Sequence, residues 1–255
     1  MALFGGKSPD QLTLTEAITV GFKMVLQRNF VIPILVIGVV IYLVVIGAIV
    51  PIVIRIAIPS SGDSALLNGA IITGIMGAII AGVIGGLLLN LYGQVWATMA
   101  SVGEAPTMQA AFARVGERWM SILGAGLIAG LATIGIFLVG GIVGAILGPV
   151  GLFVILIAIG IAIYVSARLS MAGWLAADGA AAMEAVQTSW AMTQGRLLLI
   201  VGWGFAFAIV FGIVGSILGV VLGLIPLIGS ALTQTATSAF GFGAGVSLYR
   251  KVKGS

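Results

Sequence analysis

Neither cysteine nor histidine occurs in the 255-residue chain. Their absence excludes disulfides, thiolate nucleophiles, imidazole bases and the commonest transition-metal ligands, and most enzyme classes go with them. Charge is almost as scarce: 7% of the residues are Asp, Glu, Lys or Arg, where soluble domains carry about 25%. With 61% hydrophobic residues and a mean hydropathy of +1.29, the composition reads as a polytopic integral membrane protein. The eleven basic residues outnumber the seven acidic ones, but they are scattered at the edges of apolar runs. Topology accounts for them, and no nucleic-acid-binding patch is expected. Met1 to Gln11 is polar and contains Lys7 and Asp10, so no cleavable signal peptide is expected and the first apolar run should stay as a span.

A short pattern recurs three times between those runs. Aligning Phe22, Phe112 and Trp190 brings Ile18, Met108 and Val186 to the position four before, and Arg28, Arg118 and Arg196 to the position six after. A further position, three after the aromatic, holds Val25, Val115 and Thr193. Spacing of i, i+4, i+7 places these on one helical face. Thr15, Thr19, Lys23 and Gln27, then Gln109 and Glu117, then Glu184, Gln187 and Gln194 make the opposite faces polar. Each copy reads as an amphipathic helix on the membrane surface, ending in an arginine at headgroup level before the chain turns into the bilayer. Gly21, Ala111 and Ser189 precede the aromatics, and Glu16 with Glu184 and Met24 with Met192 also correspond. A threefold internal repeat follows, with units of about 12–106, 107–180 and 181–255 in a single domain, 1–255.

The apolar runs fit that division. Phe30 to Ile54 is uncharged and long enough to cross a core of ~30 Å. Arg55 and the segment from Pro59 to Ser64 form the far-side loop, and a second span lies within Ala65 to Val102, stopped by Gly103 to Pro106. Trp119 to Ala167 holds no charge and is long enough for two spans, broken near Gly148, Pro149 and Gly151. Leu197 to Tyr249 repeats this with Gly223, Pro226 and Gly229 at the break. The expected fold is all-α, with six transmembrane helices in three hairpins, each introduced by a surface helix. Placing the N- and C-termini in the cytoplasm puts ten of the eleven basic residues inside, with Arg55 alone outside, as the positive-inside rule requires. Six of the seven acidic residues, Asp10, Glu16, Glu104, Glu117, Asp178 and Glu184, fall on the same side, and Asp63 outside.

Among the 39 glycines, Gly126 with Gly130, Gly140 with Gly144, and Gly215, Gly219 and Gly223 recur every four residues. Such faces let helix backbones approach, and packing within the chain is the expected use. Asn90, Gln94 and Thr98 form a polar stripe in the second span, and Thr233, Gln234, Thr235, Thr237 and Ser238 a patch in the last. Polar groups at depth need partners, so the two could line a wet path or serve as interhelical contacts. No ionisable residue accompanies them as ion-coupled transport would favour. Arg28, Arg118, Arg168 and Arg196 are candidate lipid-headgroup contacts, Arg168 with Tyr164 one turn before it. Trp96, Trp119, Trp174 and Trp190 fit an aromatic belt at the inner boundary. No carboxylate pair, nucleophile constellation, metal site or cofactor motif is legible.

Tyr164, Arg168, Ala172, Asp178, Glu184, Ala185, Ser189, Trp190, Thr193 and Arg196 form a pattern that resembles the membrane-domain family of glycerophosphoryl diester phosphodiesterases and related six-span prokaryotic proteins. The resemblance implies a fourth span running into a loop, an Ala-rich helix, a basic residue and the fifth span. It implies no hydrolytic activity, because in such proteins a separate soluble barrel carries the chemistry. The sequence thus points to a non-catalytic membrane subunit or scaffold in a prokaryotic inner membrane. Its expected partners are membrane lipids, another membrane protein or a second copy, and the competing reading is a permease for a small neutral or amphiphilic substrate.

Overall fold

In the computed structural model, residues 12–57, 64–103, 106–223 and 228–254 are described. Lys7, Asp10, Asp63, Glu104, Pro226 and the Pro59 to Gly62 part of the expected loop lie outside them. Nine α-helices and one 3-10 turn make up the described chain: α1 (Leu14–Val25), α2 (Arg28–Ala57), α3 (Ser64–Val102), α4 (Met108–Ile146), the turn Gly148–Val150, α5 (Gly151–Leu169), α6 (Ala172–Asp178), α7 (Ala182–Met192), α8 (Leu197–Gly223) and α9 (Ile228–Gly254). No strand occurs among the described residues.

Five stretches are long and apolar enough to cross a membrane: Arg28–Val50, Ile71–Val102, Met108–Ile146, Gly148–Asp178 and Leu197–Leu222. Their outward faces are hydrophobic, with Ile75, Ile79, Leu138, Ile142, Leu156, Phe205 and Ile213 among many exposed apolar side chains. Lipid is the solvent that suits such a surface. The sixth long helix differs. α9 has 27 residues, but Thr233, Gln234, Thr235, Thr237, Ser238 and its basic end keep it out of that apolar class. It can be polar because it is shielded: α1, α2, α3 and α8 all pack on it, and Ala239, Val246 and Ser247 are fully buried.

Hairpin partners α2 with α3, α4 with α5 and α8 with α9 pack along their lengths. The dense core lies toward one end, where Phe30, Tyr92, Val95, Trp96 and Val246 are sealed and α1, α6 and α7 cross the long helices. Trp96 and Trp174 are buried in that core, and only Trp119 and Trp190 of the expected belt are exposed. Ring packing decides this, since Trp96 meets Phe30 at 5.0 Å and Trp174 stacks on Tyr249 at 6.5 Å.

Two copies of the recurrent pattern form the separate helix expected of them. α1 starts with a capping box, Glu16 N donating to Thr13 Oγ1 (3.4 Å) and Thr13 N to Glu16 Oε2 (2.8 Å). At the start of α7, Ala181 N makes the same reach to Glu184 Oε2 (3.3 Å). Each copy then breaks before the next helix, the third through Gly195 at φ +76°. The second copy departs from the expectation. Thr107 caps a single helix, accepting from Ala110 N at 3.2 Å, and that helix runs 39 residues without interruption past Arg118. No residue between Phe112 and Trp119 takes a left-handed backbone conformation, so nothing turns the chain there. The segment after the fourth apolar run, expected as a loop, is the short helix α6, ended by Gly179 at φ +140°.

The glycine faces divide into two kinds. A Cβ on Gly140 would lie 2.3 Å from Ala158 Cβ, and one on Gly151 would lie 1.7 Å from the Gly144 carbonyl oxygen, so the α4–α5 hairpin closes through backbone contact. A Cβ on Gly126, Gly130 or Gly219 would meet nothing within 4 Å among the described residues.

Candidate functional site

The polar groups gather at the elbow where α5, α6 and α7 meet. The last turn of α5 presents its Arg168 carbonyl to α7: Ser189 Oγ donates to it at 2.7 Å and Thr193 Oγ1 lies 3.2 Å away. Ser189 Oγ in turn accepts from Met171 N (3.3 Å), so one small buried hydroxyl fixes both sides of the α5–α6 turn. A serine fits where a larger side chain would push α7 off. This arrangement holds the Arg168 guanidinium 4.8 Å from the Trp190 ring and 5.6 Å from the Tyr164 ring. Arg168 is only 7% exposed. It does not extend to the surface in the manner of an interfacial arginine, and its Nε is sealed without a hydrogen-bond partner.

The other basic side chains act on helix ends. Arg118 Nη1 donates to Gly179 O (2.8 Å) and Arg114 Nη2 to Asp178 O (3.3 Å), so two guanidinium groups from α4 cap the C-terminus of α6. Cations belong there, where unpaired carbonyls carry partial negative charge. Arg196 Nη1 donates to Val252 O at the end of α9, and Lys251 Nζ reaches Leu12 O (2.7 Å) ahead of α1. Asp178 accepts from Tyr249 Oη (2.7 Å) and from Lys253 Nζ, tying α6 to α9. Of the four candidate headgroup arginines, Arg118 and Arg196 therefore have backbone partners, Arg168 is buried under two rings, and Arg28 is exposed at the start of α2.

Gln94 and Asn90 open onto a cleft of about 450 Å³ between α3 and α4, with Gly173 of α6 also in its lining. Gln94 Nε2 donates to Asn90 Oδ1 (2.6 Å), while Gln94 Oε1 is sealed without a partner. Thr98 is buried and turned back on its own helix, its hydroxyl reaching Gln94 O at 2.7 Å. The remaining walls are apolar, formed by Leu87, Leu91, Ile122, Leu127 and Ile134, with Gly126 and Gly130 leaving room. No described residue of α9 lines this cleft. Thr233 and Thr237 donate to carbonyls of their own helix (Gly229 O and Thr233 O, both 2.8 Å), and Gln234 is exposed. The two polar stripes do not meet in this cleft.

No family model, no curated protein and no solved structure matches the chain. Function must come from the geometry. Sequence reasoning named Arg168, Tyr164, Ser189, Trp190 and Thr193, which the fold brings together, and Asn90 with Gln94, which hydrogen-bond. It missed Tyr249 and Lys253 as partners of Asp178, because they lie 71 and 75 residues apart from it and share no spacing pattern. It also missed Gly173, on which the Gln94 amide rests: a Cβ there would be 2.7 Å from Gln94 Oε1. Among the described residues no three acidic side chains come together as a metal site would need.

Proposed function

We propose that this is a non-catalytic, lipid-associated integral membrane scaffold, with α9 as the sixth span and both termini on the cytoplasmic side of a prokaryotic inner membrane. The single observation that carries the reading is that Asn90, Thr98, Thr233 and Thr237 bond within their own helices, and that the α3–α4 cleft holds Asn90 and Gln94 but no described residue of α9. A bundle tied in this way is suited to holding shape rather than to passing a solute. The repeat supports it as well. Phe22 packs on Phe240 of α9 (4.7 Å), Phe112 on Tyr92 of α3 (4.9 Å) and Trp190 on Tyr164 of α5 (5.9 Å). In each case the aromatic of the pattern meets the return helix of the hairpin before it, cyclically. Lipid or a partner protein then meets a collar in which this aromatic contact occurs three times, with the second copy continuous with α4.

The competing permease reading draws on one observation, the unpartnered Gln94 Oε1 at the α3–α4 cleft. Introducing Gln94→Cys and Gln234→Cys singly into the cysteine-free chain separates the two. With a membrane-impermeant maleimide applied to either side of sealed vesicles, the scaffold reading expects no labelling at residue 94 from either face. Labelling at both positions, blocked by a solute, would establish the permease instead.

A further inference from the structure

We propose that Arg168, Tyr164 and Trp190 form a binding site for the phosphate group of an anionic phospholipid. This rests on the lipid-associated reading above and gives it a place in the fold. A guanidinium group taken out of water needs a counter-charge or hydrogen-bond acceptors. Arg168 is 7% exposed, yet no carboxylate and no acceptor oxygen pairs with its side chain among the described residues. The groups over it are the two rings, which attract a cation but accept no hydrogen bond in the plane of the guanidinium. The Tyr164 hydroxyl and the Trp190 indole N–H likewise have no hydrogen-bond partner among the described residues. Two further donors without a partner are thus carried by the rings that flank the buried guanidinium.

The cluster stands at the surface. Tyr164 and Trp190 are 40% and 39% exposed and meet edge to face at 5.9 Å, so a ligand reaches Arg168 by parting two surface rings rather than core. Arg168 lies seventeen residues after Gly151, where α5 leaves the hairpin turn, and at ~1.5 Å per residue that is about 25 Å along the helix. In a helix that starts at one edge of a hydrocarbon core of ~30 Å, such a residue lies just short of the opposite edge, within side-chain reach of the headgroups. A phosphate offers several oxygens to the planar fork of an arginine. A choline ammonium beside it would oppose the same charge, so a net-anionic lipid is favoured over a zwitterionic one.

Because Ser189 and Thr193 hold the Arg168 backbone carbonyl and not its side chain, Arg168→Gln keeps the elbow. Thermal unfolding of the purified protein in a non-ionic detergent reads the site, with phosphatidylglycerol, phosphatidylcholine or soluble glycerol phosphate added. Phosphatidylglycerol is expected to raise the wild-type midpoint and phosphatidylcholine is not. In Arg168→Gln the lipid concentration for half the rise should be roughly thirtyfold higher, and the lipid-free midpoint equal to or above wild type because an unpaired buried charge is gone. Arg168→Lys should recover part of the response. Tyr164→Phe, which keeps the ring and removes one donor, should weaken it without changing the lipid-free midpoint. If Arg168→Gln keeps the full phosphatidylglycerol response, the site is wrong while the lipid reading stands. A lower lipid-free midpoint with an unchanged response would make Arg168 only a packing contact. An equal rise with glycerol phosphate would assign the site to a soluble ester. No wild-type response to any lipid would remove the site and the lipid reading together.

Discussion

Gly243→Ala is expected to unseat α1 from α9 and to cost about 3 kcal/mol, the upper end of what overpacking does. The new methyl would stand 2.7 Å from both Cα and N of Gly21 and 3.3 Å from the carbonyl carbon of Val20. These are backbone atoms, so no side chain can rotate away, and the helix as a whole must move. The crossing is tight from the other side too: a Cβ on Gly21 would lie 2.6 Å from Phe240 Cδ1 and 3.0 Å from Phe240 Cα. Once α1 lifts, the edge contact of Phe22 with Phe240 and the Lys251 bond to Leu12 O go with it. Gly202→Ala in α8 is the control, because nothing lies within 4 Å of that position, and a helix-interior alanine there should be neutral or mildly stabilising. Denaturant unfolding in detergent, with limited proteolysis to follow release of 14–25, gives both results. Equal stability of the two variants would refute the close crossing.

Asp178→Ala is expected to destabilise by about 2 kcal/mol. Tyr249 is buried, and without the carboxylate its hydroxyl is left with no acceptor. Most of the loss comes from that orphaned group, for which ~1–3 kcal/mol is usual. Lys253 adds little, since half of its side chain is exposed and such pairs contribute ~1 kcal/mol or less. The contrast with Tyr249→Phe tests the reasoning: adding Tyr249→Phe to Asp178→Ala removes the orphan and should recover stability. A double-mutant cycle with no coupling between the two positions would show that α6 and α9 are held by packing alone.

Local chemistry was legible where it is local. Gly103 to Pro106 announced the stop of the second span and Gly148 with Pro149 the α4–α5 turn; α3 ends at Val102 and the 3-10 turn begins at Gly148. That the second copy runs on past Arg118 without a break was not foreseeable from the motif. Its arginine has the same spacing as Arg28 and Arg196, but it reaches across to Gly179 O, a carbonyl 61 residues away. α6 escaped notice because seven residues are too few to show a hydrophobic period. The polar stripe in α3 was visible as Asn90, Gln94 and Thr98, whereas the helix it faces depends on the path of the whole chain. Small residues at four-residue spacing carry no label for their partner, which is why Gly140 with Gly144 and Gly126 with Gly130 look alike in sequence and lie in opposite surroundings.

The shielded position of α9 bears on how the protein is made. Every helix that α9 packs against precedes it in the chain. A segment carrying so many hydroxyl and amide groups, with Arg250, Lys251 and Lys253 at its end, partitions poorly from a translocon into lipid on its own. As the proposed sixth span, it is expected to enter as a passenger, lowered into a groove that α1, α2, α3 and α8 already offer. Insertion and tertiary folding would then be one event for this helix, and the bundle would reach its final form only when its least apolar member arrives.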